Sequence, residues 1–413
     1  MAFGINKSRL SPIAIDFGAD SLKVLQVSMT GDTVQLVAAG GAVIPEKARS
    51  DTASRYAFLG GALKDILRQQ PFKGRRAMCG IPAFQTLVSA LELQCGQSDI
   101  DGQVDLHIQT VLEMDPSRMV VRNLQVGQVM REGSNRQRVI SLAAPRSTVM
   151  RYIELATAAK LEVVGMHSEP MCLARPFIEF YSRREEDQCT RCFVDIGAET
   201  TKVVIVADGK VQMARTLRAA GDQLIRRHAR EHKIDFTEAR LARIREASAP
   251  QAARPFPTHE ECEQKDQVHK ALTTSPSAWD DLSLDLDSDQ KTPAQDALIE
   301  DRRDGSVVGD AVALEDIDET LDSLVDGLRM SIRYHESVSP DFRVDRVILL
   351  GGESQQRSVR EAVAYALGLP TFVGDPFARM MRTPGVQPLG VDVSQPQPGW
   401  STPLGLCLSE ANL

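Results

Sequence analysis

The sequence has little that would tie it to an export route, a bilayer or a nucleic acid. Its seven cysteines are odd in number and irregularly spaced, which excludes a disulfide framework. No apolar run approaches the ~18–20 residues needed to span a membrane. The leading MAFGINKSRLSPIAIDFG lacks the apolar h-region of a secretory signal, so a cytosolic protein is expected. A net charge of −8 offers no footprint for nucleic acid, and no such partner is expected. What remains is an ordinary globular composition, 42% hydrophobic and 25% charged. At 413 residues the chain is too long for one core, and two or more lobes are expected.

Two pairs have metal-ligand spacing, Cys189 with Cys192 and His228 with His232. No second CxxC exists, and Cys192 leads into a strand. The histidines sit in RRHAREHK, where a solvated basic helical face is the simpler reading.

What is present is a repeat. IDFGADSLKVLQV (15–27) and VDIGAETTKVVIV (194–206) align without a gap at an offset of 179. Asp16 falls on Asp195, Gly18 on Gly197, Ser21 on Thr200 and Lys23 on Lys202. Each copy runs through a glycine turn, SMTGDT or ADGK, into a second strand, VQLVAAG or VQMART, so each reads as a β-hairpin opening a lobe. Glycine lets an anion approach the backbone N–H groups of such a turn, and the hydroxyl and lysine add donors. The aspartate repels phosphate; its expected role is to hold the waters of Mg²⁺. Residues 349–353, LLGGE, form a third element, paired glycines after a buried strand that let backbone lie against a ring or sugar. Together they predict two phosphate turns and an adenosine turn around one ATP cleft.

Between the copies, residues 82–165 read as a compact α/β insertion, with a helix over DGQVDLHIQTVLEM and strands VVRNLQVGQVM and RQRVISLAAP. From about 248 to 312 the chain turns polar and acidic. Residues 280–326 hold sixteen acidic and three basic side chains, a net of −13, which leaves the rest of the chain about +5. Such a stretch buries too little to offset its ordering entropy and is expected to be poorly ordered. A helix then resumes over IDETLDSLVDGLRMSIRYH, with Ile317, Leu321, Leu324, Leu328 and Ile332 on one face.

On these stretches the sequence resembles the actin-like ATPase superfamily, and within it the PilM proteins of type IV pili and their type II secretion relatives. The resemblance also rests on GLRMSIRYH, LPTFVGDPF and LGLCLSEANL. It implies an α/β, actin-like (ribonuclease H-like) two-lobed fold with an FtsA/PilM-type 1C subdomain. Subdomain 1A would hold residues 1–81 and 166–190, 1C residues 82–165, 2A residues 191–225 and 330–413, and 2B residues 226–329. Asp16, Gly18, Ser21 and Lys23 match the first phosphate motif. Asp195, Gly197, Thr200 and Thr201 match the second, and Gly351 with Gly352 the adenosine motif. Asp16 and Asp195 would hold Mg²⁺ through water.

The connecting motif reads Ala220–Gly221–Asp222 instead of two glycines and an acid, and Ser358 stands where a glycine is usual. ATP binding is expected and hydrolysis left open, with Asp195 and Asp222 the candidates to orient water. The resemblance further implies a cytoplasmic scaffold, peripheral at the inner membrane through the N-terminal tail of a PilN-like partner. Other inner-membrane components, and self-association, are open as further contacts. An FtsA-like cell-division protein and a kinase on the same scaffold are the alternatives. The first lacks its basic C-terminal amphipathic helix, there being no Lys or Arg after Arg382; the second lacks a sugar-binding constellation.

Overall fold

The computed structural model describes residues 9–248 and 320–412, except 32, 95, 97, 98, 112, 132, 182–188, 382–387 and 393. Nearly all of the acidic stretch expected at 248–312 lies outside the described residues.

The first lobe starts with β1 (Arg9–Leu10), β2 (Ile13–Phe17), β3 (Ser21–Thr30) and β4 (Thr33–Val43). After α1 (Glu46–Arg49) and α2 (Thr52–Gln69) comes β5 (Arg76–Ile81). Strands β2 to β4 make an antiparallel meander that sets Asp16 opposite Lys23, and β5 joins β2 in parallel. Next, β6 (Leu87–Leu93), β7 (Met119–Arg131) and β8 (Ser134–Pro145) form a separate antiparallel sheet in the order β6-β8-β7. Helix α3 (Ile100–Val111) covers it, with Val104 and Ile108 packed on Met119 and Val139. It ends at Val111, short of the expected Met114, and a 3₁₀ turn follows over Pro116–Arg118.

Helix α4 (Arg146–Ala158) and β9 (Glu162–Ser168) return to the first lobe. β9 pairs in parallel with β5, and Tyr152 of α4 stacks on Phe17 with ring centroids 4.6 Å apart. The expected insertion 82–165 therefore divides: residues 87–145 build the separate sheet, while α4 and β9 complete the first core. The short helices α5 (Glu169–Leu173) and α6 (Arg175–Tyr181) then cross to the second lobe.

There β10 (Thr190–Ile196), β11 (Thr201–Ala207) and β12 (Lys210–Leu217) repeat the meander, followed by α7 (Gly221–His232), α8 (Phe236–Ser248) and α9 (Thr320–Val338). The β11–β12 turn has Asp208 at φ 50° and Gly209 at φ 68°, the backbone twist that two-residue hairpins favour. β13 (Val344–Leu350), α10 (Arg357–Leu367) and β14 (Thr371–Val373) complete a sheet ordered β12-β11-β10-β13-β14. β15 (Met380–Met381) and α11 (Ser401–Cys407) go back to the first lobe, where β15 pairs with β4 and Leu404 and Leu406 pack on Leu25 and Met78. Residues 330–413, expected in the second lobe, are thus shared between both.

Strand alternation aims the key side chains. Ile13, Ile15 and Phe17 fill the core under α2 and α4, so Asp16 faces the other way with Ala14, toward α11. In β10, Cys192, Val194 and Ile196 fill the core under α9 and α10, so Asp195 shares a face with Phe193, which packs on Leu173 and Phe177 of the crossover helices.

Candidate functional site

The two turns of the repeat face one cleft of about 260 Å³ between the lobes. Asp16, Gly18, Ser21 and Lys23 line it from one side; Asp195, Gly197, Thr200 and Asp222 line it from the other, with Gly351 and Gly352 at one end. Thr201 does not line it. It is the first residue of β11, and its buried hydroxyl donates to the Ala219 carbonyl at 2.6 Å, which ties the sheet to the approach to α7.

Both turns are held alike. Arg55 of α2 donates to the carbonyls of Gly18 at 2.6 Å and Ala19 at 2.7 Å. At the matching positions of the second copy, the carbonyls of Gly197 and Ala198 accept from the first amides of α7, Gly221 at 2.9 Å and Asp222 at 2.8 Å. A guanidinium in one lobe and a helix N-terminus in the other thus take the same two oxygens. A Cβ on Gly197 would sit 2.9 Å from the Thr200 carbonyl, so that turn would have to shift to take a side chain; one on Gly18 would sit 3.0 Å from that of Ser21, a tight contact.

The centre of the cleft is a charge cluster. Lys23 Nζ stands 3.8 Å from Asp16, and its counterpart Lys202 stands 3.2 Å from Asp195. Lys202 also reaches Glu169, the first residue of α5, at 3.5 Å. Burial raises the Asp16 carboxyl to about 7, opposed by Lys23 and assisted by Glu169. Its Oδ1 is buried and meets no hydrogen-bond partner. Burial alone would lower the Lys202 ammonium, but Asp195 and Glu169 raise it above its ordinary value.

Among the described residues, four ion pairs cross between the lobes. Lys202–Glu169 is one; Arg240 of α8 meets Asp20 at 2.7 Å, and Arg49 of α1 meets Asp222 and, at 3.6 Å, Glu199. Burial pushes the Asp20 carboxyl up, but Lys23 and Arg240 outweigh it and bring it below its ordinary value. Burial raises Asp222 despite Arg49. At the glycine end, Ile225, Ile244 and Ala247 form an apolar wall, and Arg243 pairs with Glu353.

The repeat alignment already paired Lys202 with Lys23 and so could have placed it in the site. Glu169, Arg49, Arg55 and Arg240 carried no local signal: single charged residues become legible only when distant elements meet. His228, Glu231 and His232 bring their ligand atoms within 4.8 Å of one another on α7. Glu231 is held by Arg227 at 2.7 Å among further arginines, which agrees with a basic face more than with a cation site.

A second cavity, about 1150 Å³, lies behind the cleft. β7, α4, the crossover helices and the Gly209–Gln212 turn of the second lobe enclose it, with Leu124, Val126, Met150, Ile153 and Ile178 as apolar lining.

Two lobes built on the same meander, joined by a crossover and enclosing a cleft between matched turns, define the actin-like fold, with the separate sheet as its 1C subdomain. Residues 14–255, more than half of the chain, match the family described as type IV pilus assembly protein PilM, and the chain belongs to that family. Among solved structures it is similar to a PilM-PilN type IV pilus biogenesis complex, at 18% identity over 98% of each chain and a TM-score of 0.65, a likeness of fold. Two more distant likenesses carry no weight. One is the ethanolamine utilization protein EutJ from Carboxydothermus hydrogenoformans, at 12% identity over 97% of this chain and 89% of that one, TM-score 0.46. The other is an activator of 2-hydroxyisocaproyl-CoA dehydratase from Clostridium difficile with bound ADPNP, at 12% identity over 97% and 93%, TM-score 0.38. No helix among the described residues is long and apolar enough to cross a membrane.

Proposed function

We propose that this type IV pilus assembly protein binds magnesium-ATP between its lobes and, in that state, grips the N-terminal cytosolic tail of a PilN-like inner-membrane protein. The observation that carries the first half is Asp16 Oδ1, a buried oxygen without a partner, on a carboxylate 3.8 Å from Lys23 in the cleft that Asp195 and Lys202 also line. A buried polar atom of that kind calls for a ligand, and three carboxylates against two ammonium groups leave the cluster short of positive charge. Mg²⁺ fits that deficit; Asp16 and Asp195 would hold it through its waters. Bound there, it would neutralise a triphosphate. The phosphates would meet the turns at Gly18 and Gly197, the Ser21 and Thr200 hydroxyls and Lys23. The adenosine would lie on Gly351 and Gly352 beside Ile225 and Ile244. Asp195 is engaged by Lys202 and Asp222 by Arg49, so neither candidate is a free base, which favours binding with slow turnover or none.

Calorimetric titration with magnesium-ATP tests this. The wild type should bind, and Asp16→Ala and Asp195→Ala should each bind at least about thirtyfold more weakly, a loss of about 2 kcal/mol. Undetectable binding by all three proteins would sink the nucleotide reading.

The second cavity is the proposed tail site. β7 is an edge strand of its three-stranded sheet, so one side of its backbone is open to an added strand, with apolar pockets beside it for alternate side chains. That contact would place the protein at the cytoplasmic face of the inner membrane, next to the other assembly components, with self-association a further option. The wild type should retain a tail peptide in a pull-down, and Val126→Asp, which puts a charge in the groove, should lose it. No retention by wild type, with or without nucleotide, would end the partner reading.

A further inference from the structure

The cleft and the groove are separated by two short segments, and each segment faces both. On the first, Ile81 and Thr86 line the groove while Phe84, between them, lines the cleft. On the second, Ser168 and Met171 line the groove while Glu169, beside Ser168, lines the cleft. Glu169 ties the segments together. Its Oε2 accepts from the Ala83 amide at 3.0 Å and lies 3.5 Å from Lys202 of the second lobe. The Glu169 and Lys202 side chains are 8% and 7% exposed, so water screens these contacts little.

We infer that Glu169 is the positioning residue through which nucleotide in the cleft changes the groove, and through which a peptide in the groove changes nucleotide affinity. The inference rests on the proposed reading of the two cavities. Lys202 is shared between Asp195, in the second phosphate turn, and Glu169, in the wall. A triphosphate held by that turn competes for the same ammonium. When Lys202 turns toward phosphate, Glu169 keeps the Ala83 amide as its partner and loses its tie to the second lobe. The two wall segments then settle into a different arrangement, and with them Ile81, Thr86, Ser168 and Met171. A ligand that prefers one arrangement over the other shifts the balance, and linkage requires the effect to be equal in both directions.

A rival route exists. The Gly209–Gln212 turn also lines the groove, and Arg138 of the small sheet donates to the Gln212 carbonyl at 3.2 Å, so rigid movement of the second lobe could reach the groove without Glu169. Glu169→Gln separates the two. It keeps an oxygen able to accept from Ala83 and removes the charge that holds Lys202.

The test uses the full chain with ¹³C-labelled methionine methyl groups, the Met171 signal being assigned by its loss in Met171→Leu. At saturating magnesium and a non-hydrolysable ATP analogue, without peptide, the Met171 methyl should move in wild type and stay in place in Glu169→Gln. Tail-peptide affinity with and without saturating analogue should differ about fivefold or more in wild type and less than twofold in the variant, a range typical of coupled sites. Saturation removes any effect of the substitution on analogue affinity from both readings. If Glu169→Gln keeps the full methyl shift and the full affinity ratio, coupling runs through the Gly209–Gln212 turn and the inference is wrong. If wild type binds both ligands with no shift and no ratio, the inference fails while the scaffold reading stands. If wild type binds neither, both fall. Should Glu169→Gln not fold, Ala83→Pro removes the amide donor from the other segment. Pro82 there has ψ 143°, and position 83 opens a short helical turn, a place that accepts proline. The same loss of coupling is expected.

Discussion

Asp16→Asn is expected to make the empty protein more stable at pH 8 and nearly neutral in effect below pH 4, while abolishing magnesium-ATP binding. Burial raises the folded carboxyl from 3.8 to about 7, so between those values the folded state holds a proton that the unfolded chain has released. The folded state therefore binds more protons than the unfolded one, and stability falls as pH rises from about 4 to about 7, then levels. A shift of about three pH units corresponds to roughly 4 kcal/mol. Asn mimics the protonated form and removes that dependence. Urea unfolding should show the variant about 1–2 kcal/mol more stable at pH 5 and about 4 kcal/mol at pH 8. A difference that does not grow between those two pH values would refute the placement of Asp16 in a buried anionic cluster. One substitution that strengthens the fold and removes the ligand is what a binding site under charge strain predicts.

Gly351→Ala is expected to destabilise the protein by about 3 kcal/mol or more. Gly351 has φ 82° and ψ 172°, a region open almost only to glycine. A Cβ there would overlap the Ile196 carbonyl oxygen and Asp195 Oδ1, so relief would displace the carboxylate proposed to hold Mg²⁺. Nucleotide binding should fall with stability. Gly352→Ala is the control, since nothing lies within 4 Å of the Cβ it would add, and its effect should stay near 0.5–1 kcal/mol. Equal unfolding midpoints for the two variants would show that the Gly351 backbone is not pinned between β10 and β13.

The repeat was legible because local pattern specifies it. An aspartate near a strand end, a glycine turn, a hydroxyl and a lysine recur at one offset, and each lobe folds its copy into the same hairpin. Thr201 shows where that logic stops. Beside Thr200 in sequence, it looks like a second phosphate hydroxyl, but pairing with Leu217 begins at Thr201 and its side chain goes to Ala219. The pairing of β9 escaped local pattern for a related reason. β9 reads as the end of an insertion, yet a strand with buried residues on both faces is claimed by whichever sheet offers an open edge, and β5 offered one.

By itself, the sequence determined the two matched turns, the glycine pair, the small antiparallel sheet around 119–145 and the family they imply. Local backbone chemistry and hydrophobic period act over a few residues and can be read directly. Only the tertiary structure decided that α11 closes the first lobe, that Arg49 and Arg240 bridge to the opposite lobe, and that Glu169 stands between cleft and groove. Those outcomes depend on which surfaces meet once both cores have formed, and a lone charged residue carries no mark of its eventual partner.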